Sequence, residues 1–550
     1  MKDLGIRDII GPVMIGPSSS HTAGALHIAR LARKLLKGTP SEVTFHLYGS
    51  FACTYRGHGT DKALVAGILG LAPDDERIRD SFELARQAGM EFTFAPDADA
   101  PCDHPNTVDI EVTTPEDGTT RVRGESIGGG AAVISRINGI AVRLTGEYHS
   151  LVIKQRDVKG VLAHIASCLN DFNINIATTR LFRERKGEIA YTIMETDDVI
   201  PEEIARAIAA NPDILAVRII ESDFGVPEEA EEDGTTTGTD GTTVTDPLAI
   251  PGSPIPDFES ADFANGRELL ALCEANGCSI SQAMAEREEA LAASRGIDAD
   301  LSAYLTQVLE VMRASATAPL NEPKSSMGGL IGGEANRLAD LEGDGPCDTM
   351  LSRAITYGMA VLETNASMGR IVAAPTAGSA GVLPAMLLSC QDLHGFSEEE
   401  MQRALLNAAA IGYIVTRNAT VAGAEGGCQA EVGTASAMAA SAAVELFGGA
   451  PAQCLAAASN ALTGLMGLVC DPIAGLVEAP CQKRNATGVA NAIVSAQIAL
   501  AGIGNLVDFD QTVAAMYAVG RSLPFELRES ALGGIAATPA ACAFCTGCRG

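Results

Sequence analysis

Residues 226–256 cannot take part in a hydrophobic core. They carry Glu228, Glu229, Glu231, Glu232 and Asp233, then seven threonines from Thr235 to Thr245 and four prolines from Pro247 to Pro256. So little apolar surface cannot offset the entropy of ordering the chain, so a disordered linker is expected there. The linker divides 550 residues into two parts that must each build a core. That length suits about three to four domains of roughly 150 residues.

The two parts are patterned differently. Before the linker, residues 1–147 mix strand-like runs (43–48, 107–113) with helical spacing (23–37, 62–69) and read as an α/β domain. Residues 148–225 then alternate compactly. Strands are expected at 150–154, 175–183, 188–195 and 215–220 and helices at 158–170 and 202–210, the βαββαβ order of a ferredoxin-like domain. Residues 257–550 almost lack strand signal, and alanine-rich helical runs at 348–363, 398–410, 431–446, 452–468 and 485–500 predict an all-α domain. With 57 glycines and no tryptophan, these helices must pack through small side chains. The apolar stretch 488–507 carries Asn491, Ser495, Gln497 and Asn505 and reads as a buried helix rather than a membrane span.

A balance of 39 Lys and Arg against 69 Asp and Glu gives a formal charge of −30. Such a surface repels phosphate backbones and anionic lipid headgroups, which argues against nucleic-acid and membrane partners. Charges at Lys2, Asp3, Arg7 and Asp8 interrupt any signal-peptide core, so a cytoplasmic setting is expected. Fourteen cysteines in that compartment point to metal, cluster or redox chemistry instead of disulfides.

Seven of the eight histidines precede Asp171, whereas eleven of the fourteen cysteines follow residue 250. A site combining an imidazole base with thiolate-held metal therefore requires the two parts to meet. Ser18, Ser19, Ser20, His21 and Thr22 form a hydroxyl-rich helix cap whose N–H groups suit a carboxylate. His58 lies between Gly57 and Gly59 just before a helix, where a partly buried imidazole can act as a general base; His21 and His104 are the other candidates. Thr376, Gly378, Ser379 and Gly381 belong to a glycine-rich loop, 375–381, whose exposed N–H groups suit an anion. Cys428 sits at a helix start, where the dipole favours thiolate. Cys470 and Cys481 bracket a turn-rich segment, and the spacings of 42 and 11 residues match no compact zinc motif.

Two resemblances follow from these residues. Arg156, Asp157, Val158, Lys159 and Gly160 at a helix start, with Asn173, Ile174 and Asn175 opening a strand, resemble an ACT domain. That resemblance implies an amino-acid effector near Gly160 and Asn175. Ser18 to Thr22, the Gly57–Asp61 loop, the 375–381 loop and Cys428, Cys470 and Cys481, in that order, resemble a bacterial iron-sulfur L-serine dehydratase with β-type and α-type parts fused.

This second resemblance implies L-serine as substrate and a [4Fe-4S] cluster held by Cys428, Cys470 and Cys481. It implies His58 as the base that starts elimination of water, substrate contacts from the hydroxyl-rich cap and the 375–381 loop, and a homo-oligomer. A C-terminal cysteine caps the cluster in some members. Cys548 is the nearest match, with Cys542 and Cys545 competing in a C-x2-C-x2-C run. The remaining cysteines read as small buried residues. Two other readings are a pyridoxal-phosphate lyase using Lys324, with the 375–381 loop holding phosphate, and a non-catalytic amino-acid sensor, which accounts only for residues 149–220.

Overall fold

The computed structural model describes residues 4–183, 185–196, 198–222, 257–295 and 300–544. The linker expected at 226–256 lies outside them.

Alternation builds the first sheet. In strand Glu42–Tyr48 the side chains of Val43, Phe45 and Leu47 are buried while their neighbours are not, so one face of the strand must be covered. Six strands pair in the order Glu91–Asp97, Glu42–Tyr48, Asn106–Thr114, Gly118–Gly128, Ala131–Ile137 and Ile140–Leu144. Only the first pair is parallel. Helices Gly24–Lys34 and Thr60–Ile68 pack together and bury Leu26, Ile28, Leu31, Leu64 and Val65 in the same core. Gly67 allows their close approach, since a Cβ there would lie 2.6 Å from both Ala29 Cβ and Leu26 O.

Residues 149–220 form the βαββαβ unit. Its antiparallel sheet runs Ile214–Ile220, His149–Arg156, Ile189–Thr196, Ile176–Arg183. Helices Val161–Asp171 and Glu202–Ala209 share a core with Leu151, Ile153 and Met194. Val152, Tyr191, Ile193 and Ile220 join the core of the first sheet region. The Arg218 guanidinium fastens this unit by pairing with Asp117 at 2.8 Å and donating to the Leu35 carbonyl.

Among the described residues, the second part is helical apart from the short strand Arg370–Val372. Helix Thr434–Leu446 is buried continuously from Thr434 to Val444, which its alanines and serines permit because neighbouring backbones can approach closely. It packs against Glu398–Asn418, Pro451–Gly464 and Cys481–Leu500. The 488–507 stretch is not one buried helix. The helix ends at Leu500, Val494 is exposed on its surface and Leu506 is fully exposed. Among the described residues, no helix is long and apolar enough to cross a membrane.

The N-terminus crosses between the two parts. Ile6, Ile9 and Ile10 are buried in the helical core, and Val13–Ile15 pairs antiparallel with Arg370–Val372. Gly11 N–H donates to the Ala373 carbonyl at 2.8 Å, extending the contact.

Candidate active site

The seam between the two parts gathers most of the residues singled out in the sequence. Ser18 Oγ caps its turn by accepting from the His21 N–H, and Thr22 Oγ1 donates to the His58 carbonyl at 2.7 Å. The His21 ring is held at both nitrogens, with Nδ1 2.9 Å from Ser20 Oγ and Nε2 2.8 Å from Ser50 Oγ. Its edge meets the His58 ring at a centroid distance of 4.5 Å.

His58 is fully buried, not partly buried as expected; neither ring nitrogen makes a well-formed hydrogen bond, although the Gly475 backbone comes near enough to oppose the effect of burial on its pKa. Burial lowers its pKa to about 4, so it stands neutral near pH 7. Burial, followed by the charges of His58 and His104, also lowers His21. His104 is half-buried, and its Nδ1 accepts from the Asn106 N–H at 3.2 Å. Of the three histidines, only His58 is fully buried with neither ring nitrogen in a well-formed hydrogen bond.

Ser19 Oγ accepts from the Ala377 N–H at 2.9 Å, joining the serine-rich turn to the loop of the helical part. That loop is largely buried and four of its N–H groups, those of Ala377, Ser379, Ala380 and Gly381, are engaged, where exposed N–H groups were expected. Ser379 and Ala380 donate within the loop, and Gly381 donates to Asn485 Oδ1 at 3.0 Å. Thr376 Oγ1 donates to Glu431 at 2.8 Å and lies 3.1 Å from Ser379 Oγ. Asn485 Nδ2 donates to the carbonyls of Gly378 and Cys481, tying the loop to the helix that begins at Cys481.

Cys428 and Cys470 are buried and Cys481 is half-buried. Desolvation raises the Cys428 pKa to about 12 and takes Cys470 and Cys481 well above the usual thiol range. Loss of water at Cys428 thus opposes the helix dipole expected to favour its thiolate. Cys428 and Cys481 both lie close enough to raise the Cys470 pKa, and Cys428 also raises that of Cys481. Arg484, ion-paired with Asp471 at 2.7 Å, opposes the rise at Cys428 and Cys481. Three crowded, desolvated thiols with one nearby cation fit a thiophilic metal group, whose positive charge would let all three bind as thiolates.

The histidine and cysteine groups meet through the turn between Cys470 and Cys481. A Cβ on Gly57 would lie 2.9 Å from Leu476 Cδ2 and 3.4 Å from the Gly475 carbonyl. A Cβ on Gly423 would lie 2.6 Å from Glu431 Oε2 and 3.4 Å from Cys470 Sγ, which places that carboxyl beside the sulfur. The ligand atoms of His21, His58 and Glu529 lie within 4.8 Å of one another. Burial raises Glu431 to about 7 and Glu529 to about 8. Sequence reasoning missed Ser50, Arg484, Glu431 and Glu529. Glu431 and Arg484 lie three residues after predicted ligands, a usable signal, whereas Ser50 and Glu529 carry none.

Other predicted residues lie elsewhere. Gly160, at φ 93°, precedes helix Val161–Asp171, and Asn175 donates through its N–H to Asp198; both are surface loop positions of the βαββαβ unit. Cys542 is exposed, while Cys545 and Cys548 lie outside the described residues. Cys53 is exposed and Cys102, Cys278 and Cys347 are half-buried, so the buried reading of the remaining cysteines holds only for Cys168, Cys273, Cys390 and Cys454. Lys324 is exposed, and its glycine-rich segment is held by internal carboxylates. Glu478 accepts from Ser326 Oγ and the N–H groups of Gly328 and Leu330, and Glu363 accepts from Gly333 and Ala335. With the Ala377, Ser379, Ala380 and Gly381 N–H groups also engaged, the pyridoxal-phosphate reading loses its lysine and most of its phosphate cradle.

Comparison with known proteins matches residues 8–136 to the serine dehydratase beta chain and residues 275–536 to the serine dehydratase alpha chain. L-serine dehydratase of Streptomyces coelicolor is 31% identical over 535 residues, covering 95% of this chain and 96% of that protein. The L-serine dehydratase alpha chain of Peptoniphilus asaccharolyticus is 45% identical over 272 residues, 49% of this chain and 92% of that protein. The beta chain from the same organism is 42% identical over 208 residues, 38% of this chain and 94% of that protein.

Proposed function

Since this chain belongs to the serine dehydratase family, with beta-type and alpha-type parts on one polypeptide, we propose that it is a lyase converting L-serine to pyruvate and ammonia. The observation that carries the reading is the fully buried His58 imidazole, without a well-formed hydrogen bond, set across the seam from three mutually perturbing thiols.

Cys428, Cys470 and Cys481 would hold a [4Fe-4S] cluster through three thiolates. When bound, such a cluster supplies Lewis acidity that neutralises charge developing at a leaving hydroxyl and a carboxylate. His58 takes the α-proton onto a free ring nitrogen, for which its neutral state prepares it. His21, held by Ser20 and Ser50, fixes the orientation of the His58 ring, and Thr22 holds the His58 backbone. Ser18, Ser19, Thr376, Gly378, Ser379 and Gly381 form the substrate wall and exclude water. Loss of the hydroxyl leaves 2-aminoacrylate, whose imine hydrolyses to pyruvate and ammonia without a further catalytic group.

The same reading divides the chain into a β-type domain at 1–147, an ACT-like regulatory domain at 148–225, a linker at 226–256 and an α-type domain at 257–550. It sets an amino-acid effector near Gly160 and Asn175, Cys548 as the capping thiol, and a cytoplasmic homo-oligomer. The test is anaerobic pyruvate formation from L-serine before and after reconstitution with iron and sulfide, in the full chain and in single Cys→Ser variants. Activity that appears with iron and is lost together with iron content in Cys428→Ser, Cys470→Ser and Cys481→Ser is expected. Turnover by iron-free protein, or full iron content in any of the three variants, overturns the assignment.

A further inference from the structure

A second pair of sulfurs lies outside the active site. Helix Gly266–Asn276 ends at Gly277, whose φ of 64° turns the chain so that the N–H groups of Gly277 and Cys278 both reach the Cys273 carbonyl. In this type of helix ending, the two residues flanking the turn bring their side chains together, and here both are cysteines. Cys278 packs against the core cluster that contains Cys273, and each thiol perturbs the other's titration. Cys273 is buried, while Cys278 is half-buried and reachable from solvent.

We propose that Cys278 and Cys273 form a thiol–disulfide pair, in which Cys278 is oxidised first by a hydroperoxide and Cys273 resolves it to a disulfide. The local geometry supports the order of events, because the accessible sulfur is the one backed by a buried partner. The neighbouring Cys273 thiol lowers the Cys278 pKa, although burial and the charges of Glu286 and Glu445 act in the opposite sense. Cys273 is raised by the same contact, by burial and by the neighbouring Cys278, Glu445 and Cys454. Isolated thiols differ: burial pushes Cys390 up to about 12, and the exposed Cys53 is also raised.

The chemistry balances with hydrogen peroxide as the oxidant. The Cys278 thiolate attacks one peroxide oxygen; an S–O bond forms, the O–O bond breaks, and the departing hydroxide takes a proton to become water. Cys273 sulfur then attacks the sulfenic sulfur; the S–S bond forms, the S–O bond breaks, and the hydroxyl leaves as water with the Cys273 proton. Two thiols are oxidised and one peroxide is reduced to two waters.

Both cysteines fall between Arg267 and Arg287, so trypsin leaves them on one peptide, 268–287. The full chain, treated anaerobically with one equivalent of hydrogen peroxide, is blocked with iodoacetamide, digested and weighed. The peptide is expected to lose two hydrogens and resist alkylation until reduced, before Cys53 is modified. In Cys273→Ser, Cys278 is expected to stop at sulfenic acid and be captured by dimedone. Cys273→Ala should slow Cys278 alkylation about threefold per pKa unit regained, because lower nucleophilicity returns about half of the tenfold gain in thiolate. Two alkylatable cysteines on the wild-type peptide after Cys53 has been oxidised would overturn the proposal, as would the absence of a Cys278 adduct in Cys273→Ser.

Discussion

Glu478 lies three residues before Cys481 and is 2% exposed, yet its carboxylate touches no residue of the proposed reaction. It accepts from Ser326 Oγ at 2.6 Å, Gly328 N–H at 2.6 Å and Leu330 N–H at 2.9 Å, pinning the 324–333 segment to the turn that meets Gly57. Glu478→Ala leaves two backbone donors and one hydroxyl without this acceptor. The hydroxyl can rotate, so only the two N–H groups are counted, at about 1–3 kcal/mol each. Gly328 is exposed and its N–H can rehydrate, which puts the expected loss at about 2–4 kcal/mol. Local opening should then bring amide exchange in 324–333 up by about thirtyfold to a thousandfold, read by hydrogen-exchange mass spectrometry. Turnover should fall with it, because the Leu476 contact on Gly57 loosens. Glu478→Gln keeps one carbonyl acceptor and should show a smaller increase. Wild-type exchange across 324–333 in Glu478→Ala would refute the reasoning.

His58→Ala should retain bound iron while turnover falls by about 10²- to 10⁴-fold, the range for a positioned base; His21→Ala should cost less, and equal losses would contradict its positioning role. The lowered His58 pKa also sets a pH dependence, because as pH falls from 6.5 towards 4 the unfolded chain binds the proton first and the folded state loses stability. Between pH 7 and pH 5 this amounts to about 2 kcal/mol, so the wild-type melting midpoint should fall more steeply over that range than that of His58→Gln; parallel slopes would refute it. Gly381→Ala puts a Cβ 2.4 Å from the Gly358 carbonyl, a backbone atom with little freedom to yield. An overpacking cost of about 1–3 kcal/mol is expected in its melting curve, and a wild-type midpoint would show that the loop can move.

The sequence made the cysteine triad and the histidine motifs legible because their residue types are scarce and their order is specific. Helices were legible from long alanine-rich periodicity, and the βαββαβ order from short alternating runs. What escaped depends on distance through space. Ile6, Ile9, Ile10 and strand Val13–Ile15 look like an ordinary start to an α/β domain, but their partners lie more than 250 residues away in the helical core. The loop at 375–381 presents glycines that suit an anion and 324–333 a glycine-rich flexible segment, and no local signal reveals that Asn485 and Ser19 engage the one and Glu478 and Glu363 the other. Cys428 shows the same limit in its electrostatics. Its position near a helix start is visible in sequence, but its desolvation is a property of the finished fold.

The division of labour across the seam has a physical consequence for a family that also exists as separate alpha and beta chains. The imidazole group comes wholly from the first part and the thiols wholly from the second, so neither part holds a complete site. Their union rests on direct contacts: the Val13–Ile15 ladder with Arg370–Val372, Ser19 with Ala377, and Gly57 against Leu476. The last two involve the active-site loops themselves. Docking of the parts and ordering of the site are therefore one event, and weakening either contact should loosen the other. Joining the parts on one polypeptide raises their effective concentration without adding a contact at the site. Fusion therefore favours assembly while leaving the geometry of His58 and the three cysteines to the same interface that separate chains must form.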